Sequence, residues 1–450
     1  MAVSATPRTA DAAAGALPPL IAVAYSGGRD STALLHVTAR QAQVLGLRVL
    51  ALHVHHGLSP HADAWLDHCR AQCAAWAAAG LPVRLQWQRL EGRPAAAQSV
   101  EAWAREGRHA ALAAMARAAG ADLLLLAQHR RDQAETLLLQ ALRGAGVAGL
   151  AGMPVRQRRD GLLWARPWLH QPREAIEAYL HAQGLSHVED DSNADERYAR
   201  NRLRLSVWPA LSQAFPQAEA SLAQAADWAQ QALTLQQEVA AQDLAALLDG
   251  QQTLDAEALA RLSPARASNA LRAWLQTQLG RPAPASLVGR LLGEALGGAS
   301  SAGWPCAGGQ IRRYRGRLSF VPVGAAPEGP LLRLDLSQPG ACPVPDWRGA
   351  WLVEAVRAGG IDPARLARAE MRARHGGEQF QAHAGGVPRS LKKAYQAAAV
   401  PAWQRGGPLL FGDDGELLFA PGLGLDARAL APAGAPQLCL RWQGLPVATL

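Results

Sequence analysis

The stretch Leu20 to Thr32, LIAVAYSGGRDST, limits the possible folds more than any other part of this chain. Six apolar residues of strand character run directly into Ser26-Gly27-Gly28, and an amphipathic helical pattern starts at once after them. A strand, a glycine turn and a helix in that order leave unpaired backbone N–H groups and the positive end of a helix dipole facing one point. That point is an anion site. Gly27 and Gly28 allow close backbone approach, and Ser26, Ser31 and Thr32 add hydroxyls. Asp30 repels a phosphate on its own, so its place in the loop makes sense as a magnesium ligand. The loop lacks the Gly-Lys-Ser/Thr of a Walker A sequence.

Three further apolar runs, LRVLALHVHHG, PVRLQWQ and ADLLLLAQH, alternate with helical patterns up to about residue 188. This alternation predicts an α/β domain with a doubly wound parallel sheet over residues 18–204, and ligands bound beyond the carboxyl ends of its strands. From 205 to 322 the pattern reads as a mainly helical domain, and the proline- and glycine-rich stretch 323–349 as a linker or irregular connection. Residues 350–450 read as a small mixed α+β domain.

The chain has 450 residues and a formal charge of +8, which fits a polyanionic partner. Five scattered cysteines do not make a disulfide framework. No apolar run is long enough to cross a bilayer, and the first twenty residues show no leader pattern. A soluble cytoplasmic protein is expected.

After the fourth run come Gln128-His129 and then Arg131-Asp132-Gln133-Ala134-Glu135-Thr136. Asp132 and Glu135 are three residues apart and share one helical face, an arrangement suited to a metal ion and an amine. The glycine-rich LRGAGVAGLAGM (Leu142 to Met153) and EDDSNADERYARNRLR (Glu189 to Arg204) follow. With S-G-G-x-D-S these segments resemble the PP-loop ATP pyrophosphatases, whose fold is adenine nucleotide alpha hydrolase-like. The chain is similar in particular to the long tRNA(Ile)-lysidine synthetases. GVPRSLKKAYQAAAVPAWQRGGPLLFGDDGELLFAPGLGL also looks like their carboxyl-terminal domain.

The resemblance implies an ATP-dependent ligase. In this reading the wobble cytidine C2 oxygen of tRNA(Ile) with a CAU anticodon attacks ATP, and free lysine then displaces AMP. Asp30, Asp132, Glu135 and Arg200 are the implied catalytic residues, and Asp30 and Asp132 the magnesium ligands. Ser26 to Thr32, with Arg29, would bind ATP, and the loop bearing His53 would border the adenine. Arg143, Gly144 and Asn201 would lie near the entering base and lysine, and Arg389, Lys392 and Lys393 would grip the tRNA body. The cluster Arg312-Arg313-Tyr314-Arg315 is a second basic candidate. Oligomeric state stays open, a homodimer included.

Two positions depart from the family's A-H-H-x-D-D-Q: Gln128 replaces a histidine and Arg131 an aspartate. Arginine is no metal ligand, so the metal role rests on Asp132 or is reduced, and Arg131 is free to reach a phosphate. Three readings remain open besides ligation. Cys69 and Cys73 admit a PP-loop tRNA thiolase, although their helical spacing fits core packing better. His53, His55 and His56 admit a metal site. The two departures admit a tRNA-binding protein without catalysis.

Overall fold

The computed structural model describes residues 18–57, 59–92, 100–189, 195–295, 303–323 and 329–444. The chain divides into two compact units, Met1–Leu235 and Gln236–Leu450.

The first unit opens with strand β1 (Leu20–Ala24), helix α1 (Arg29–Leu45), β2 (Arg48–His55), α2 (Ala62–Ala78), β3 (Val83–Arg89), α3 (Val100–Ala118) and β4 (Leu123–Leu125). These follow the predicted alternation element by element. Helix α4 (Arg130–Leu142), the short α5 (Val147–Leu150), a hairpin of β5 (Arg156–Arg159) and β6 (Leu162–Ala165), and α6 (Arg173–Ala182) come next. The unit ends with α7 (Ala199–Arg202), a π-helical turn Leu203–Val207, α8 (Trp208–Ala214) and the start of the long α9 (Ala218–Leu247).

The sheet order is β3-β2-β1-β4-β6-β5, parallel except for β5, which pairs antiparallel at one edge. Alternation along the strands sends side chains to two cores. Ala22, Leu50, Leu52 and Leu124 pack with Leu112 and Met115 of α3, while Val23, Val49 and Ala51 pack with Leu34 and Leu35 of α1 and Cys69 of α2. Helices therefore cover both faces. Chain order reverses between β1 and β4, which are neighbours. The loops leaving their carboxyl ends diverge there and open a crevice, the usual ligand position in such sheets.

The second unit departs from the sequence reading in two ways. Besides α10 (Ala256–Ala260), α11 (Pro264–Leu279) and α12 (Ala285–Arg290), the middle region carries an antiparallel sheet of β7 (Leu254–Asp255), β8 (Gly303–Cys306), β9 (Gly309–Tyr314) and β10 (Arg317–Pro322), ordered β7-β10-β9-β8. Trp304, Ile311 and Leu318 of that sheet share one core with Leu271, Trp274 and Leu275 of α11. The region is thus mixed rather than mainly helical.

The expected connection 323–349 contains β11 (Leu332–Leu334) and β12 (Gly340–Val344). These strands pair with the later β14 (Ala369–Arg372) and β13 (Gly349–Val356). Buried Leu336 and Trp347 join the terminal core, so most of this stretch belongs to the carboxyl-terminal fold. That fold is completed by α13 (Pro363–Leu366), β15 (Gln379–Phe380), β16 (Arg389–Ser390), α14 (Leu391–Ala397), β17 (Leu409–Phe411), β18 (Leu417–Ala420), β19 (Gly424–Leu425) and β20 (Gln437–Gly444).

Candidate functional site

The loop between β1 and α1 is ordered by its own polar groups. Ser31 Oγ donates to the Gly28 carbonyl at 2.9 Å, Thr32 Oγ1 donates to the Gly27 carbonyl at 3.2 Å, and Gly28 N–H reaches Ser26 Oγ at 3.3 Å. Gly27 has φ +84°, and a Cβ there would stand 2.8 Å from Cys69 Sγ, so glycine is required twice over. Val188 N–H donates to the Gly27 carbonyl at 2.9 Å and closes the outer side of the loop.

His53 lies beneath the loop. Its Nδ1 donates to the Tyr25 carbonyl at 3.0 Å, which ties the end of β2 to the last residue before the turn. Burial pushes its pKa down to about 4, so the ring is neutral at physiological pH. His55 Nε2 meets Asp63 at 3.0 Å. Among the described residues no group of three or more His, Cys, Asp or Glu is arranged to hold a metal, so the histidine-cluster metal reading finds no support there.

Asp30 and Asp132 come together across the crevice through His129. His129 Nε2 lies 3.6 Å from Asp30 Oδ2 and 3.5 Å from Asp132 Oδ2. Two carboxylate oxygens therefore face one imidazole nitrogen. Carboxylates are the donor type that magnesium takes alongside water and phosphate oxygens, and in this structure both are turned to His129. Burial alone would raise the Asp30 pKa, but hydrogen bonding to His129 and Arg29 holds it well below the ordinary carboxylate range. His129 is shifted upward: burial opposes its charge, and Asp30 and Asp132 outweigh that opposition. Arg29 spans Asp30 at 2.9 Å and Glu177 of α6 at 2.7 Å.

Glu135 is fully buried, and both its oxygens are taken by guanidiniums. Arg200 Nε donates to Oε2 at 2.9 Å and Arg204 Nε donates to Oε1 at 2.7 Å. A second nitrogen of Arg204 reaches Asp132 Oδ1 at 2.9 Å, and one of Arg200 reaches the Asp132 carbonyl at 3.1 Å. The acid pair is thus locked onto the α7 segment and the π-helical turn after it.

Three matches with known families span most of the chain. A PP-loop domain matches residues 9–211, a TilS substrate binding domain 254–319, and a TilS substrate C-terminal domain 369–442. The chain is 44% identical to the tRNA(Ile)-lysidine synthase of Ralstonia nicotianae, over 92% of this chain and 90% of that one. This chain belongs to the tRNA(Ile)-lysidine synthase family. The proteins of the same name from Burkholderia pseudomallei and Pseudomonas fluorescens are each 39% identical, over 92% and 91% of this chain and 91% and 90% of theirs.

Against the family pattern, Arg131 is not turned toward a phosphate. Its Nε donates to Glu219 Oε2 at 2.6 Å and its guanidinium stacks 4.4 Å above the buried Trp208 ring. Arg130 takes the other oxygen of Glu219 at 2.9 Å. Arg131 is a packing and pairing residue. Gln128 Oε1 is shielded from solvent and has no hydrogen-bond donor.

Asn201 is buried, and its side chain donates to the Asp195 carbonyl at 3.0 Å, so it shapes the α7 turn from within. Arg143 caps α4 and is exposed, as is Gly144 at φ +70°. Arg389 of β16 and Lys392 and Lys393 in the first turn of α14 all face solvent. Residues 190–194 of the Glu189–Arg204 motif, and Leu58, lie outside the described residues.

The middle basic cluster does not present three free cations. Arg313 is buried, Arg312 lies 5.2 Å over the Trp403 ring, Tyr314 meets the same ring edge-on, and Arg315 donates to the Gln396 carbonyl at 2.8 Å. These residues join β9 to the carboxyl-terminal fold. Cys69 and Cys73 are buried, and burial pushes both thiols up to about 12. They are core groups rather than sulfur carriers.

Sequence reasoning missed Arg204, which engages both acids of the pair. A signal was available. Arg200 and Arg204 are four residues apart, as two side chains on one helical face must be.

Proposed function

We propose that this chain joins lysine to C2 of the wobble cytidine in tRNA(Ile) with a CAU anticodon, consuming ATP and releasing AMP and pyrophosphate. The observation carrying this reading is that Asp30 from the phosphate loop and Asp132 from the acid-pair helix meet at His129, in a chain matching lysidine synthases over nine-tenths of its length.

The loop N–H groups and hydroxyls at Ser26 to Thr32 bind the phosphates that leave. Asp30 and Asp132 would hold magnesium, which would offset phosphate charge. The C2 oxygen of cytidine attacks the α-phosphate and pyrophosphate departs. The ε-amine of lysine then attacks C2 of the adenylated base, and AMP leaves with the C2 oxygen. Glu135, between Arg200 and Arg204, supplies the negative charge that orients the amine. Arg143 and Gly144 border the entering base. Arg389, Lys392 and Lys393 contact backbone phosphates of the tRNA, which position it without reading sequence. His53 stays neutral and adds no charge beside the nucleotide.

Incorporation of labelled lysine into a tRNA(Ile) CAU transcript with ATP, beside elongator tRNA(Met) and the Asp30→Ala protein, tests this reading. Incorporation is expected in the first tRNA alone, and only with Asp30 present. AMP release without lysine transfer would assign a different nucleophile.

A further inference from the structure

The start of α9 contacts both the first turn of α4 and the end of the glycine-rich loop, yet none of its residues belongs to a motif. Glu219, Ala223, Ala226 and Gln230 are spaced by four, three and four residues, which puts them on one stripe of the helix. Ala223 and Ala226 are buried and bring the helix close to its neighbours. The polar residues at the two ends of the stripe hold different things.

Glu219 is largely buried and accepts from both Arg130 and Arg131, the first two residues of α4. The same turn of α4 carries Asp132, and the next carries Glu135. Gln230 Nε2 donates to the carbonyls of Ala151 at 3.0 Å and Met153 at 2.9 Å, where the glycine-rich loop ends. Met153 is held from the other side too, because Gln133 of α4 bonds its N–H at 2.8 Å and its carbonyl at 3.0 Å. A Cβ at Gly152 would stand 2.7 Å from Gln133 Oε1, so the loop end is pressed onto α4 with no slack.

We propose that the first half of α9 is a template fixing the distance between the two substrates, with Glu219 the positioning residue on the lysine side and Gln230 the positioning residue on the base side. This rests on the reading above, in which Asp132 and Glu135 face lysine and the loop from Arg143 to Met153 faces the wobble base. Neither Glu219 nor Gln230 touches a reactant. Glu219 acts through Arg130 and Arg131, and Gln230 through the loop backbone. The chain's arginine at 131 acquires a purpose in this scheme: it trades a carboxylate near the phosphates for a second anchor on Glu219.

The test is steady-state kinetics of lysine transfer in the full chain, with lysine and tRNA varied separately. Glu219→Gln is expected to raise KM for lysine about tenfold and to leave KM for tRNA within about twofold. Gln230→Met, which keeps the length and loses the donors, is expected to do the reverse by about the same factor. Glu219→Asp keeps the charge and should fall between Glu219→Gln and the parent. Adding Arg131→Gln to Glu219→Gln should change lysine KM by less than about twofold, because both remove one interaction.

A parent protein that transfers no lysine to tRNA(Ile) sinks the functional reading itself. A parent that turns over, with variants that raise both KM values together or neither, overturns the template alone.

Discussion

The phosphate loop and the acid pair share one edge of one sheet, yet they are prepared for their ligands in opposite ways. The loop holds its shape through bonds among Ser26, Gly27, Gly28, Ser31 and Thr32. The acid pair holds its shape through Arg200 and Arg204. An anion site made of backbone N–H groups can wait for its ligand, since water satisfies those groups meanwhile. A buried carboxylate cannot wait in that way, because an unpaired charge out of water costs several kcal/mol. One site is preformed. The other is filled by the chain's own guanidiniums, which on the proposed function must share Glu135 with the lysine amine.

The largest test of this contrast is Asp30→Ala. Lysine transfer should fall by about a thousandfold, the scale of losing several kcal/mol of charge stabilisation on the phosphates. A loss within tenfold would show that the loop does not depend on the carboxylate at its centre.

Arg204→Met tests the other side. It removes one of two partners from buried Glu135 and should cost roughly 3 kcal/mol in denaturant unfolding. Adding Glu135→Gln should return most of that loss, since a neutral amide no longer needs the second cation. An unchanged Arg204→Met stability would mean the pair is not held by its arginines.

A pH titration sharpens the picture of the loop. His53 is pushed from 6.5 to about 4 by burial. The unfolded chain therefore takes up a proton at a pH where the folded chain does not. Its contribution is complete above 6.5 and is lost as pH falls toward 4, a change on the order of 3 kcal/mol. Melting measured across that window should flatten in His53→Gln.

The smallest effect extends the contrast to the second unit, where two basic clusters differ as the two sites do. Lys392→Ala and Lys393→Ala should each lower the salt slope of tRNA binding by roughly 0.7 to 0.9 and leave the melting temperature alone. Arg312→Gln, which loses its stacking on Trp403, should lower the melting temperature and leave the slope alone. A slope change for Arg312→Gln would erase the distinction between the clusters.

How much of this was legible in the chain depends on how far apart the partners lie. Element order from β1 to α4 followed from periodicity, and the loop from thirteen consecutive residues. The sheet of β7 to β10 was hidden because its arginines read as a charge cluster, although burial alternates residue by residue along β9. The 323–349 stretch looked irregular because β11 and β12 find their partners only in later strands. Arg131 looked free because Glu219 lies 88 residues on.

The sequence by itself determined the phosphate loop, the strand and helix alternation that builds a parallel sheet, and the family to which the chain belongs, because those are written in periodicities and motifs of a few consecutive residues. Only the tertiary structure decided which charges are free. Arg200 and Arg204 reach Glu135 from 65 and 69 residues away. Whether a cation meets solvent, an aromatic ring or a buried carboxylate depends on folded neighbours that no local pattern contains.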